Sequence, residues 1–241
     1  MLNQYQIESI LFLDIETVPA VEEYQKMPEL MRRLWDRKAE QLQRFERNVP
    51  EEKPTPEELY ERAGIYAEFG KIICISTGIF RNQSLWIKSF SGNEEKPVLA
   101  EFSEMLNKAG DKKIQYLCAH NGKEFDYPYL IRRMLVNGVS VPALLDLSGK
   151  KPWEVNHLDT MELWKFGDFK NFSSLELLAA IFGIPTPKDD MDGSQVARVY
   201  WQDHDLPRIV KYCQKDVLTI VNLFLKLQQK KIIGDDQIQF V

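Results

Sequence analysis

The sequence predicts an α/β fold, with a mixed β-sheet flanked by helices. Residues 9–16, SILFLDIE, form a continuous apolar run that is typical of a strand buried on both faces. Strand-like segments come first along the chain, and helices are interleaved later. No Gly/Ser-rich linker divides the 241 residues, of which 44% are hydrophobic. We therefore expect a single domain over residues 1–241.

After the first strand, the segment at about 22–62 is densely charged, has helical spacing and is interrupted by Pro54 and Pro56. This pattern predicts a charged helical insertion. Two interpretations are open. The segment is either a solvated helical hairpin laid over the fold, or a cover over a substrate cleft in which arginines face phosphates, namely Arg32, Arg33 and Arg37.

The remaining elements follow from apolar periodicity and turn residues. Strands are expected at 71–80, 85–90, 114–119 and 155–159, the first two joined by a turn at 81–83. Helices are expected at about 97–108, 127–136, 174–182, 194–201 and 205–229. The last helix carries an apolar stripe that begins at Ile209 and ends at Leu227.

Composition excludes several classes of protein. No apolar run approaches the ~20 residues that a membrane-spanning helix needs, and the first residues lack the features of a secretory signal. Three scattered cysteines without a CxxC pair favour a reducing, cytoplasmic location. Three histidines without HxxxH or HExxH spacing argue against a zinc enzyme. The net charge of -5 neither requires nor excludes a nucleic-acid partner.

Two carboxylates close the first strand. Asp14 and Glu16 are two residues apart, so both side chains project from the same face of the strand. Neighbouring anions repel and burial increases the cost, whereas a hard cation such as Mg²⁺ or Mn²⁺ between them would remove it. A strand that emerges into a polar loop would show the same D-x-E pattern, so the pair alone leaves both interpretations open.

A third carboxylate interrupts the apolar stripe of the last helix. Asp216 lies between Cys213 and Ile220, where the pattern asks for an apolar residue, and Tyr212 precedes it by four residues on the same helical face. A buried aspartate needs a partner, which a metal ion or a hydrogen-bond network would supply. Tyr-Asp pairs at this spacing are also common as purely structural contacts.

Asp126, in AHNGKEFDYPYL, opens a predicted helix and is ambiguous by itself, because aspartate is a preferred N-cap residue. Taken with Asp14, Glu16 and Asp216, it completes a set of carboxylates from three elements. Two-metal phosphoryl transfer needs such a set around two cations ~4 Å apart. The tyrosine on the last helix would orient or deprotonate the attacking water.

Three segments, FLDIET, NGKEFDYPYL and YCQKD, resemble in this order the three exonuclease motifs of the DEDD superfamily. A tyrosine four residues before the final aspartate is similar to the DEDDy branch. NGKEFDYPYL and SSLELLAAIFGIP are most similar to the proofreading exonuclease domain of family B DNA polymerases. The resemblance spans roughly residues 10–225 and implies a ribonuclease H-like fold in a stand-alone 3′-5′ exonuclease. The segment at 22–62 is longer than such a domain leads us to expect.

Carried over to this sequence, the resemblance implies that Asp14, Glu16, Asp126 and Asp216 bind two divalent cations, Mg²⁺ or Mn²⁺. Tyr212 would position the nucleophilic water. The expected reaction is hydrolysis of phosphodiester bonds from the 3′ end of single-stranded or frayed DNA, with release of nucleoside 5′-monophosphates.

Residues beside these motifs are weaker candidates. Thr17, Asn121 and Phe125 could contact the terminal nucleotide, although a core position explains Phe125 equally well. Asp159, in HLDTMELW, could support the metal ligands, but a cap for the segment that begins at Thr160 is the stronger interpretation.

Other functions stay open. The same fold could act on short RNA, because discrimination rests on how the site treats a 2′-hydroxyl group. A non-catalytic nucleic-acid-binding module would keep the fold, but it predicts erosion of the acidic set, which is intact here. A single-metal phosphatase or a structural Ca²⁺ protein would fit the carboxylates and leave Tyr212 without a role.

Overall fold

The computed structural model describes residues 4–45, 53–110, 113–168, 170, 172–185 and 191–241. Within these residues, six strands form one mixed sheet: β1 (Ile10–Pro19), β2 (Gly70–Arg81), β3 (Ser84–Ser91), β4 (Tyr116–Ala119), β5 (Leu158–Asp159) and β6 (Ile238–Phe240). The order across the sheet is β5-β4-β1-β2-β3-β6. Strands β1 to β3 pair antiparallel, and β4, β5 and β6 each pair parallel with a neighbour. The predicted α/β class with a mixed sheet is confirmed.

Seven α-helices lie in the described residues: α1 (Glu29–Phe45), α2 (Glu95–Gly110), α3 (Asp126–Val136), α4 (Thr160–Lys165), α5 (Leu175–Ile181), α6 (Val196–Trp201) and α7 (Leu206–Leu227). Helices α2 and α3 cover one face of the sheet, and α7 covers the other, with α4, α5 and α6 packed around it. Over the same residues, no helix combines the length and apolar character needed to cross a membrane.

Most predicted elements are present within a few residues of their expected bounds. The strand expected at 155–159 is shorter, because only its last two residues pair with β4 and residues 155–157 form no strand. Strand β6 was not predicted, since three residues carry no periodic signal. The charged segment contains α1 and a 3₁₀ stretch at Glu58–Ile65, and its residues 46–52 lie outside the described residues.

Strand β1 divides the core into two parts. Its odd-numbered residues face α2 and α3, and its even-numbered residues face α7. The hydrophobic cluster on the side of α2 and α3 contains Leu11, Leu13 and Ile15. The cluster on the side of α7 contains Ile10 and Phe12. Side chains alternate along a strand, so Asp14 and Glu16 continue the face towards α7. A register shift between Glu16 and Thr17, a β-bulge, interrupts the pairing with β2, which resumes in a shifted register from Thr17 to Pro19.

Gly78 of β2 allows α7 to lie close to the sheet. It pairs with Phe12 on one side and Ile87 on the other, directly beneath the helix. A Cβ atom at this position would lie 2.9 Å from Cγ1 of Val217, closer than carbon atoms pack. The distance between α7 and the sheet at β2 therefore depends on the absence of a side chain here.

The charged segment between β1 and β2 has its own small aromatic core. Trp35 of α1 is fully buried, packs edge-on against Tyr60 and Phe69, and donates from Nε1 to the carbonyl oxygen of Pro56 at 2.7 Å. The segment is fixed to the main fold by the Tyr129 hydroxyl, which donates to the carbonyl oxygen of Gly64 at 2.7 Å.

We expect Gly78→Ala to lower the free energy of unfolding by about 1–3 kcal/mol, because the new methyl group overpacks the interface between α7 and the sheet. Chemical denaturation measures the change. Gly110→Ala is the matched control, since nothing lies within 4 Å of a Cβ at that position. Equal stability of the two variants would contradict this account of the helix–sheet contact.

Candidate active site

The end of β1 carries the first two carboxylates of the site. Glu16 is only 7% exposed, and Asp14 is partly buried beside it. Burial raises the pKa of Asp14 well above its usual value, and the charges of Glu16, Asp216 and Asp126 raise it further. The two carboxylates therefore lie on one face of β1, as their spacing predicts. They are also close enough to Asp126 and Asp216 for the charges of these aspartates to affect their pKa values.

Asp126 is buried, with 3% exposure, at the first residue of α3. The N-cap position belongs to Phe125, so the interpretation of Asp126 as an N-cap is wrong. Its carboxylate accepts a hydrogen bond from the backbone N–H of Ile15, between the two acidic residues of β1. Burial, together with the charge of Asp159, raises the pKa of Asp126 to about 8 despite this hydrogen bond.

Helix α7 brings Tyr212 and Asp216 to the same place. The Tyr212 hydroxyl donates a hydrogen bond to the Asp216 carboxylate. The apolar stripe predicts a buried Asp216, whereas the structure shows this residue half-buried. Burial raises the pKa of Tyr212 far above its usual value, and the charges of Asp216, Glu16 and Asp14 add to the shift. The phenol and the carboxylates are thus neighbours in space.

The structure brings all five predicted catalytic residues into one cluster: Asp14, Glu16, Asp126, Tyr212 and Asp216. In the described part of the chain, no basic side chain forms an ion pair with Asp14, Glu16 or Asp126. Buried carboxylates without a basic partner are a donor set that suits a hard divalent cation.

Cysteine side chains contribute to this cluster, which the sequence analysis did not predict. The Cys213 thiol lies 3.4 Å from Oδ2 of Asp14, and the Cys74 thiol lies beside it. Cys74 pairs with Glu16 across β1 and β2. The helical pattern placed Cys213 correctly on the buried stripe, but periodicity does not reveal which strand residue a buried side chain meets.

The three candidate substrate contacts are close along the chain to residues of the cluster: Thr17 follows Glu16, and Asn121 and Phe125 precede Asp126. Thr17 is half-buried, within reach of the Tyr129 hydroxyl. Asn121 has a positive φ of 61° in the loop before α3. Phe125 is also half-buried and packs on the hydrophobic core, which agrees with the interpretation of this residue as a core residue. The ring centroids of Phe125 and Tyr129 are 5.3 Å apart.

Asp159 caps a helix, as the stronger interpretation expects, and it also binds the loop before α3. It caps α4 by accepting from the N–H groups of Met161 (2.9 Å) and Glu162 (3.3 Å). The same buried carboxylate accepts from the N–H groups of Asn121 (2.9 Å) and Lys123 (3.1 Å). It therefore fixes the loop that leads into Asp126.

A cleft of about 620 Å³ lies between the charged segment and residues 194–202, near the end of β1. Its lining includes five glutamates and one arginine, namely Glu22, Glu23, Glu57, Glu58, Glu61 and Arg198. Arg32, Arg33 and Arg37 do not line it. These three arginines therefore do not face this cleft, whose glutamates give it a negative charge. A second cavity of about 860 Å³, between β3 and α2, contains none of the site carboxylates.

Residues 65–235 match the model of a family described as a predicted 3'-5' exonuclease related to the exonuclease domain of PolB. The chain belongs to this family. Asp126, Tyr212 and Asp216 lie within the matched residues of this exonuclease family, and Asp14 and Glu16 precede them. No curated protein matches the chain.

The fold is similar to that of a solved structure, the family B DNA polymerase from the hyperthermophilic archaeon Pyrobaculum calidifontis. The TM-score is 0.56 at 15% sequence identity, and the superposition covers 91% of this chain. Only 24% of the polymerase is covered, so the chain spans about a quarter of its length. The likeness confirms the ribonuclease H-like fold that the exonuclease family implies.

We expect Asp159→Ala to lower the free energy of unfolding by about 2–3 kcal/mol, because it removes a helix cap and leaves two further, partly buried N–H groups without their acceptor. Ser174→Ala, which removes only the N-cap of α5, is the control and should cost about 1 kcal/mol. Thermal and urea unfolding of both variants give the comparison. A loss for Asp159→Ala no greater than that of the control would show that the contacts to the loop contribute nothing.

Proposed function

We propose that the chain is a metal-dependent 3′-5′ exonuclease of the DEDDy type, acting on the 3′ end of single-stranded or frayed DNA. The observation that carries the proposal is the convergence of four carboxylates from β1, α3 and α7, with the Tyr212 hydroxyl bonded to one of them. The family to which the chain belongs supports the reaction class.

The donor set fits divalent cations. Glu16 is buried and faces three other carboxylates, with no hydrogen bond or ion pair to its carboxylate among the described residues. Asp14, Glu16, Asp126 and Asp216 would hold two cations, Mg²⁺ or Mn²⁺. When bound, the cations supply Lewis-acid stabilisation of the attacking and leaving oxygens.

Tyr212 would orient the attacking water rather than deprotonate it. Its hydroxyl proton is donated to Asp216, and its raised pKa keeps the phenol protonated near neutral pH. The phenol oxygen retains lone pairs that accept a hydrogen bond from water. The side chain can therefore fix the position of a water molecule beside the carboxylates while its own proton stays in place.

The substrate contacts proposed for Thr17, Asn121 and Phe125 follow from their positions close along the chain to residues of the cluster. Asn121 and Phe125 belong to the loop held by Asp159, and Thr17 follows Glu16 directly. These residues would bind the terminal nucleotide on the side of the site formed by β1 and α3. We further propose that residues 1–241 act as one exonuclease domain, with nucleic acid as the partner.

We expect shortening of a 5′-labelled single-stranded oligonucleotide from its 3′ end in Mn²⁺ or Mg²⁺, with 5′-mononucleotides as products. EDTA and the variant Asp216→Ala should both abolish it, because each removes cation binding. A 3′-recessed duplex and a matched RNA oligonucleotide rank the substrates, and faster loss of RNA would overturn the DNA preference. An uncut band under every metal, with folded protein, would favour a binding module.

Tyr212→Phe removes only the hydroxyl, and we expect it to slow hydrolysis by about 10²-fold or more. Mn²⁺ binding, measured by electron paramagnetic resonance, should change little because the carboxylates remain. Tyr24→Phe removes a phenol that donates to Asp36 in the charged segment and serves as the control. Undiminished turnover by Tyr212→Phe would exclude the water-orienting role.

A further inference from the structure

The thiol of Cys213 belongs to the same ligand cluster as the first two carboxylates. One ligand atom each from Asp14, Glu16 and Cys213 lie within 4.8 Å of one another. In tetrahedral zinc sites, Zn–S and Zn–O bonds of about 2.3 and 2.0 Å separate the sulfur and oxygen ligands by about 3.5 Å. In this structure the Cys213 thiol donates a hydrogen bond to Oδ2 of Asp14, with sulfur and oxygen 3.4 Å apart. The two atoms are therefore already at the separation of two ligands of one cation, and a cation would take the place of the thiol proton.

The buried carboxylate of Glu16 independently indicates a cation at this place. It is 93% buried, and within the described ranges neither a hydrogen bond nor an ion pair reaches it. It faces Asp216 and Asp126 and stands opposite Cys74 on β2. An unpaired anion in such surroundings is costly unless a cation joins it.

We propose that Asp14, Glu16 and Cys213 form a site for a thiophilic divalent cation, Zn²⁺ or Cd²⁺. Oxygen-only sites suit Mg²⁺ and Mn²⁺, whereas a cysteine ligand selects zinc and related metals. Cys213 thus gives the acidic cluster a preference that its carboxylates alone would not have. Because Asp14 and Glu16 are shared with the proposed catalytic site, Zn²⁺ competes there with Mg²⁺.

Binding exchanges a proton for the metal. The Cys213 S–H bond breaks, its proton leaves to solvent, and sulfur forms a bond to the cation, so no oxidant or reductant is needed. The inference rests in part on the proposed function, whose carboxylates it shares. Its test therefore measures cation binding without nucleic acid, so that each proposal can fail separately.

The test titrates metal-free protein with Cd²⁺ and follows the ultraviolet charge-transfer absorption of a cadmium–thiolate bond. We expect this absorption in the wild type and in Cys118→Ser, which alters a buried thiol on β4 outside the cluster. We expect it to vanish in Cys213→Ser. The same variant should bind Zn²⁺ at least about tenfold more weakly, since even partners outside the ligand shell change metal affinity by about 10- to 100-fold.

A structural role for the thiol would affect all cations alike, so Mn²⁺ binding serves as the reference. We expect Cys213→Ser to change Mn²⁺ affinity by less than about threefold, because Mn²⁺ prefers oxygen ligands. Asp14→Asn, which keeps the thiol, should weaken both metals.

No cadmium absorption in the wild type would overturn the proposal, as would its persistence in Cys213→Ser, or equal losses of Zn²⁺ and Mn²⁺ affinity. Persistence in Cys213→Ser together with loss in Cys74→Ser would assign the ligand to Cys74 instead. Failure of hydrolysis with the cadmium absorption intact would count against the nuclease function alone.

Discussion

Mutual repulsion among the carboxylates between β1 and α7 is the constraint that governs the surrounding structure. Burial and like charges raise the pKa values of Asp14 and Glu16, so holding both as anions costs free energy. The described residues offer them no basic ion-pair partner. The cluster is held together instead by packing of α7 over Gly78 and by the backbone N–H of Ile15, which binds Asp126.

The supports of the cluster are themselves buried and polar, and they connect elements far apart in sequence. Asp159 joins β5 and α4 to the loop before α3 through four N–H groups. His120 in the same loop bonds Thr160 through Nδ1 and the carbonyl oxygen of Ser173 through Nε2, each at 2.9 Å. Such a network is stable only when every member is satisfied, so it holds the loop in one conformation.

The parts of the fold that follow from periodicity were predictable from the sequence. The spacing of Asp14 and Glu16 placed both on one face, and the interruption of the stripe singled out Asp216, which the structure places in the carboxylate cluster. Long-range pairing was not predictable in the same way. The contact between Cys213 and Asp14 depends on the rotation of α7 over β1, and the second role of Asp159 depends on a loop that packs beside it. Neither contact can be recognised from a pattern in the neighbouring sequence.

Under the proposed function, the distribution of charge would give the cations a further role. The chain has a net charge of -5, the site is a cluster of carboxylates, and the adjacent cleft is lined by five glutamates. Under the proposed function, a phosphodiester must approach this negative surface. Bound cations are then needed to compensate charge as well as to assist chemistry. The affinities for cations and for nucleic acid are consequently coupled. If bound cations tighten the binding of nucleic acid by some factor, bound nucleic acid tightens the binding of the cations by the same factor, because linkage between two sites is reciprocal.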